Sequence, residues 1–104
     1  MISIMETETE LTALGSRLRA ARLARNEPMA LFAERLGVSV PTLREMERGS
    51  PRVQIGFWLN AFWVLGRLDE WQALLVERES LIERARRERD APVRHRASRR
   101  RRPA

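Results

Sequence analysis

Cysteine is absent from the 104 residues, which excludes disulfides and any thiolate metal site. Lysine is absent too, so all 20 basic residues are arginine. The one histidine, His95, lies among arginines near the end of the chain and reads as a solvated side chain, not a catalyst. Metal sites need clustered ligands, and none is clustered, so no metal or cofactor is expected. The five glycines are isolated, so no glycine loop could cradle a phosphate. No carboxylate pair is placed by periodicity in a pocket, and no enzyme is expected. No apolar run approaches the ~20 residues of a membrane span. Residues 1–10 hold three glutamates and no basic residue, unlike a secretory signal. The expectation is a soluble, intracellular protein.

Hydrophobic residues make up 43% of the chain, enough for one domain with a small core. Residues 1–90 hold 14 arginines and 14 acids, so the net charge of +6 comes from Arg94, Arg96, Arg99, Arg100, Arg101 and Arg102. Within residues 11–67, nine arginines face four acids. A local excess of that size attracts phosphates, or it solvates helix surfaces; charge alone does not choose.

Residues 28–49, PMALFAERLGVSVPTLREMERG, organise the rest. Phe32, Ala33 and Leu36 give one apolar face at helical spacing. Gly37 suits the left-handed backbone of a sharp turn. Val38 can plug the angle between two helices. Ser39 has N-cap chemistry, and Pro41 falls in the first turn, where a missing N–H costs little. Leu43 and Met46 form the buried stripe of a second helix that ends at Gly49. The pattern predicts helices over 29–36 and 40–48 joined by a tight turn, a helix-turn-helix.

Phe32-Ala33-Glu34-Arg35-Leu36-Gly37-Val38-Ser39, then Thr42-Leu43 and Glu47-Arg48-Gly49, resembles the phage-repressor (Xre/Cro) helix-turn-helix family, over about residues 11–65. Gly49-Ser50-Pro51-Arg52-Val53, Ile55-Gly56 and Leu65-Gly66 are similar to a narrower group, the HipB-type antitoxins encoded beside a HipA-like serine/threonine kinase toxin. The resemblance implies an all-α, five-helix DNA-binding domain, a homodimer, double-stranded operator DNA as partner, and a HipA-like kinase as a second partner.

The chain divides in sequence into four parts. Residues 1–10 read as a flexible acidic arm. Residues 11–67 read as the DNA-binding domain. Its first helix, over 11–25, sets Leu11, Leu14, Leu18 and Ala21 on one side and Arg17, Arg19, Arg22 and Arg25 mostly on the other. Residues 68–90 read as one C-terminal helix starting at an Asp69 N-cap, with a stripe of Trp71, Leu74, Leu75, Leu81, Ile82 and Ala85. Residues 91–104 cannot bury a core and read as a disordered arginine-rich tail. A fourth helix over 55–65 is apolar nearly all round. Ile55, Leu59 and Phe62 are assigned to the core. Trp58 and Trp63 are candidates for a dimer interface, unless the next helix covers them.

By resemblance, bases are read from the start of the third helix, by Val40, Pro41, Thr42, Arg44 and Glu45. Arg44 carries the clearest chemistry, because a guanidinium matches guanine O6 and N7. Val40 and Pro41 offer only apolar contact, which leaves more to DNA shape. Glu47 and Arg48 take structural roles. Phosphate contacts are expected from the backbone N–H groups near Met29 and Ala30 and from Ser50 and Arg52. Two other readings stand beside this one: a protein-interaction adaptor on the same scaffold, and a general nucleic-acid binder driven by the tail.

Overall fold

A computed structural model describes residues 3–77 and 81–90. These are all-α, with no strand among them. The helices are α1 (Ile4–Ala24), α2 (Met29–Leu36), α3 (Val40–Arg48), α4 (Ile55–Val64), α5 (Leu68–Gln72) and α6 (Leu81–Asp90). None is long and apolar enough to cross a membrane. The chain forms two compact units, Met1–Ala73 and Leu74–Ala104.

Helix α1 starts seven residues before the expected position. The flexible arm over 1–10 is replaced, from Ile4 on, by helix. The cause is a capping box: the Ser3 hydroxyl accepts from the Glu6 N–H at 3.1 Å, and the Glu6 carboxylate accepts from the Ser3 N–H at 3.4 Å. At the other end Asn26, with φ 55°, turns the chain toward Pro28, which precedes α2.

Helices α2 and α3 have the predicted bounds. Gly37, at φ 77°, ends α2, and Gly49, at φ 81°, ends α3. Ser39 caps α3, its hydroxyl accepting from the Thr42 N–H at 3.2 Å. The core of the first unit joins Leu18, Phe32, Ala33, Leu36, Leu43, Met46, Trp58 and Ala61, with Val38 packed against it. Phe32, Leu36, Leu43 and Met46 are its largest fully buried side chains. Burial of each contributes about 1.5–3 kcal/mol.

The register of α4 differs from expectation. Trp58 and Ala61 face inward, Leu59 and Phe62 are half-buried, and Ile55 is exposed. Trp58 is therefore a core residue, not the exposed dimer contact expected of it. One face must meet α2 and one must meet α5, and the nearly uniform apolar sequence gives no phase for either.

The single helix expected over 68–90 is two helices. Arg67, not Asp69, precedes α5, and Asp69 sits in its first turn. Helix α5 ends after five residues, where the Ala73 N–H reaches the Asp69 and Glu70 carbonyls and Leu75 adopts φ 56°. Trp71 belongs to the first unit, edge-on to Phe62 with ring centroids 5.5 Å apart. The start of the 68–90 segment thus packs on the preceding helices, as expected of its first part. In the second unit, α6 carries Arg84, Arg86, Arg87 and Arg89 beside Glu83, Glu88 and Asp90. The expected tail over 91–104, with His95, lies outside the described residues.

Candidate nucleic-acid interface

Helix α3 has two faces with separate duties. Leu43 and Met46 are completely buried, and half-buried Val40 packs against the core. Pro41, Arg44, Glu45 and Arg48, at i, i+3, i+4 and i+7, are all exposed. That spacing aligns them on one outward stripe.

The helix is held from behind by a buried ion pair. Arg22 of α1 donates from Nε to Glu47 at 2.7 Å and from a terminal nitrogen to the other Glu47 oxygen at 3.1 Å. A third donor reaches the Glu27 carbonyl at 3.1 Å. The hydrogen bonds to Glu47 hold the Arg22 pKa above the ordinary arginine value, against the burial that lowers it. Glu47 therefore has the expected structural role. Arg22, expected among the solvent-facing arginines, is buried instead, because Glu47 comes to it from 25 positions away.

The α1–α3 contact is also backbone on backbone. A Cβ on Gly15 would lie 2.6 Å from the Met46 and Glu47 carbonyl oxygens. One on Gly49 would collide with the Leu11 carbonyl.

The outward stripe has its own electrostatics. Glu45 accepts from Arg48 at 3.1 Å. That leaves Arg44 without an acid partner among the described residues, as are Arg17, Arg19 and Arg52. Thr42 is half-buried, and its hydroxyl accepts from Ser39 at 3.0 Å, so it serves the cap. Of the five base-reading candidates, Pro41, Arg44 and Glu45 face solvent, while Val40 and Thr42 are partly turned into the fold.

The phosphate candidates gather at element ends. The Met29 side chain packs on the core and Ala30 is exposed. Pro28 supplies no side-chain acceptor, so the first-turn N–H groups of α2 are uncapped and available to an anion. The Ser50 hydroxyl accepts from the Arg52 N–H at 3.2 Å, which shapes the loop and leaves the exposed Arg52 side chain to solvent.

Helix α4 starts at Ile55 as expected, but its first turn was not among the expected phosphate contacts. Gln54 gives no side-chain cap there, and Gly56 is exposed with nothing within 4 Å of where its Cβ would stand. A glycine in a helical first turn with no packing reason to be small was the available signal. Trp63 stays exposed at 67%, beyond Ile55 at 73% and half-buried Leu59. These three, at i, i+4 and i+8, form an apolar stripe on α4.

No His, Cys, Asp or Glu cluster among the described residues could hold a metal ion. No protein-family model, curated protein or solved structure matches the chain.

Proposed function

We propose that the protein is a sequence-reading DNA-binding repressor, built on a phage-repressor-like five-helix helix-turn-helix domain and acting as a homodimer on its own operator. The observation that carries the reading is Arg44: exposed, free of acids among the described residues, and set on a helix whose other face is fixed by Leu43, Met46 and the Arg22–Glu47 pair. A guanidinium held this way can present two donors to guanine, worth roughly 1–3 kcal/mol of discrimination. The uncapped first turns of α2 and α4, with Arg52, supply phosphate contacts beside it. The apolar stripe of Ile55, Leu59 and Trp63 supports pairing of two copies, which places two α3 helices on half-sites about one DNA turn apart.

The narrower form of the proposal is a HipB-like antitoxin that also holds a HipA-like kinase toxin. It draws on the Gly49–Val53 loop and Ile55-Gly56. A kinase encoded beside the gene and co-purifying with the protein supports it. Operator binding without binding to such a kinase overturns it.

A second reading, a protein-interaction adaptor, draws on half-buried Val40, apolar Pro41 and the inward Met29. One experiment separates the two. Mobility-shift titrations use the DNA upstream of the gene at two salt concentrations, with wild type and Arg44→Ala. Specific binding that persists at the higher salt and falls on substitution supports the repressor. Weak binding that ignores Arg44 and vanishes with salt overturns it in favour of the adaptor or of tail electrostatics.

A further inference from the structure

The connection between α1 and α2 holds an ionic cluster separate from the α3 stripe. Glu27 is buried, and one of its carboxylate oxygens accepts from two arginines: Arg25 Nε at 2.9 Å and a terminal nitrogen of Arg35 at 2.7 Å. The two guanidinium groups are therefore neighbours on a single oxygen. The Glu27 backbone is fixed as well, its carbonyl by Arg22 at 3.1 Å and its N–H by the Arg22 carbonyl at 3.3 Å.

Two cations on one anion leave a local excess of one positive charge. The two arginine side chains remain partly in solvent, 34% and 45% exposed, against 8% for Glu27. Each spends one nitrogen on Glu27, and no other hydrogen bond from either side chain is made among the described residues. Their remaining N–H groups form part of a planar fork whose geometry matches a phosphate or carboxylate. Glu27 directly precedes Pro28, so the cluster borders the uncapped first turn of α2. A carboxylate that only neutralised one arginine would need no second. Here Glu27 spaces two guanidinium groups, which lowers the ordering cost of receiving an anion between them.

We propose that Arg25 and Arg35, held side by side on buried Glu27, form a seat for one backbone phosphate of bound duplex DNA. This rests on the DNA-binding reading above and adds an anchor to it. The seat carries no sequence information. It fixes the register of the α2–α3 unit on the duplex and contributes to the salt dependence of binding.

The test uses the full chain and a duplex enriched by the wild-type protein from a random library, with a permuted duplex of equal length as control. Affinity for both is measured over a series of salt concentrations. The variants are Arg25→Gln, the Arg25→Gln/Glu27→Gln/Arg35→Gln triple, and Arg44→Ala, each checked for its thermal transition. The triple replaces the ionic cluster with neutral amides. Arg25→Gln leaves Glu27 paired with Arg35 should the triple fail to fold. The expected result is that the Arg25 and triple variants weaken both duplexes alike, about tenfold for the triple, with a log–log salt slope shallower by about 1. Arg44→Ala should instead erode the preference between duplexes. Superimposable salt slopes in folded Arg25 and triple variants overturn the phosphate seat while leaving the DNA reading on Arg44. A wild-type protein that enriches no sequence, with Arg44→Ala indistinguishable from it, overturns both.

Discussion

Arg22 and Glu47 close on each other through two hydrogen bonds, 2.7 and 3.1 Å long, between the first and third helices, and both side chains are more than nine-tenths buried. Removing one partner strands a charge away from water. Glu47→Ala should lower the unfolding free energy by about 3–5 kcal/mol, measured by urea denaturation. Replacing both with apolar residues of similar volume should recover much of the loss, because no buried charge is then left unpaired. The raised Arg22 pKa means that its share of stability is fully present below the ordinary arginine value and is lost only as pH rises through the folded one. Arginine titration should therefore leave stability flat through neutral and moderately alkaline pH.

Gly15→Ala tests the backbone contact between the same helices. In an exposed helix interior this change would stabilise by up to about 1 kcal/mol. Here the new methyl meets two carbonyl oxygens at 2.6 Å, which cannot move without α3. The expected result is a loss of about 1–3 kcal/mol, read as a lower thermal midpoint. Gly49→Ala should cost more, since it combines the Leu11 collision with a φ of 81°.

Trp63→Ser should weaken self-association without weakening the fold. Trp63 is 67% exposed, whereas Trp58 is 8% exposed and belongs to the core. If the proposed homodimer forms through this stripe, sedimentation velocity over a concentration series should show it in the wild type and a shift to monomer in Trp63→Ser. The far-ultraviolet thermal transition of the monomer should be unchanged. A Trp58→Ser chain should lose the transition itself.

The Glu70 carboxyl, hydrogen-bonded to Arg67, is held below the usual carboxylate range. Its pairing therefore contributes above that range and is lost as pH falls through the lowered value. The pair is exposed, so the effect on the fold is small. Carboxyl NMR should show the Glu70 midpoint rise toward the ordinary glutamate value in Arg67→Ala.

The helices over 29–36 and 40–48 were legible because every local signal agrees there. Gly37 and Gly49 mark ends, Ser39 marks a start, and Phe32, Leu36, Leu43 and Met46 carry a clear 3.6-residue phase. The start of α1 was equally available in Ser3 and Glu6, and was hidden by the general tendency of termini to fray. Helix α4 was found, but its register was not, since a sequence apolar on every side has no hydrophobic phase. The break at Leu75 had no glycine or proline to announce it. At the candidate site, the exposure of Arg44 could be expected from α3 alone. The Arg22–Glu47 pair and the shared Glu27 oxygen could not, because each joins residues whose proximity exists only in the folded chain.

Apart from half-buried Val40 and Thr42, helix α3 divides its positions between those that prop the fold and those that do not. Pro41, Arg44, Glu45 and Arg48 stand on the outward stripe, clear of the core, while Leu43, Met46 and Glu47 hold the helix in place. Exchanges on the outward stripe leave the buried contacts untouched and cost little thermodynamically. A lineage can therefore change what this surface meets by single substitutions, each viable on its own, with no compensating change behind the helix. The inward positions have no such freedom, and drift there must await a matching change in α1.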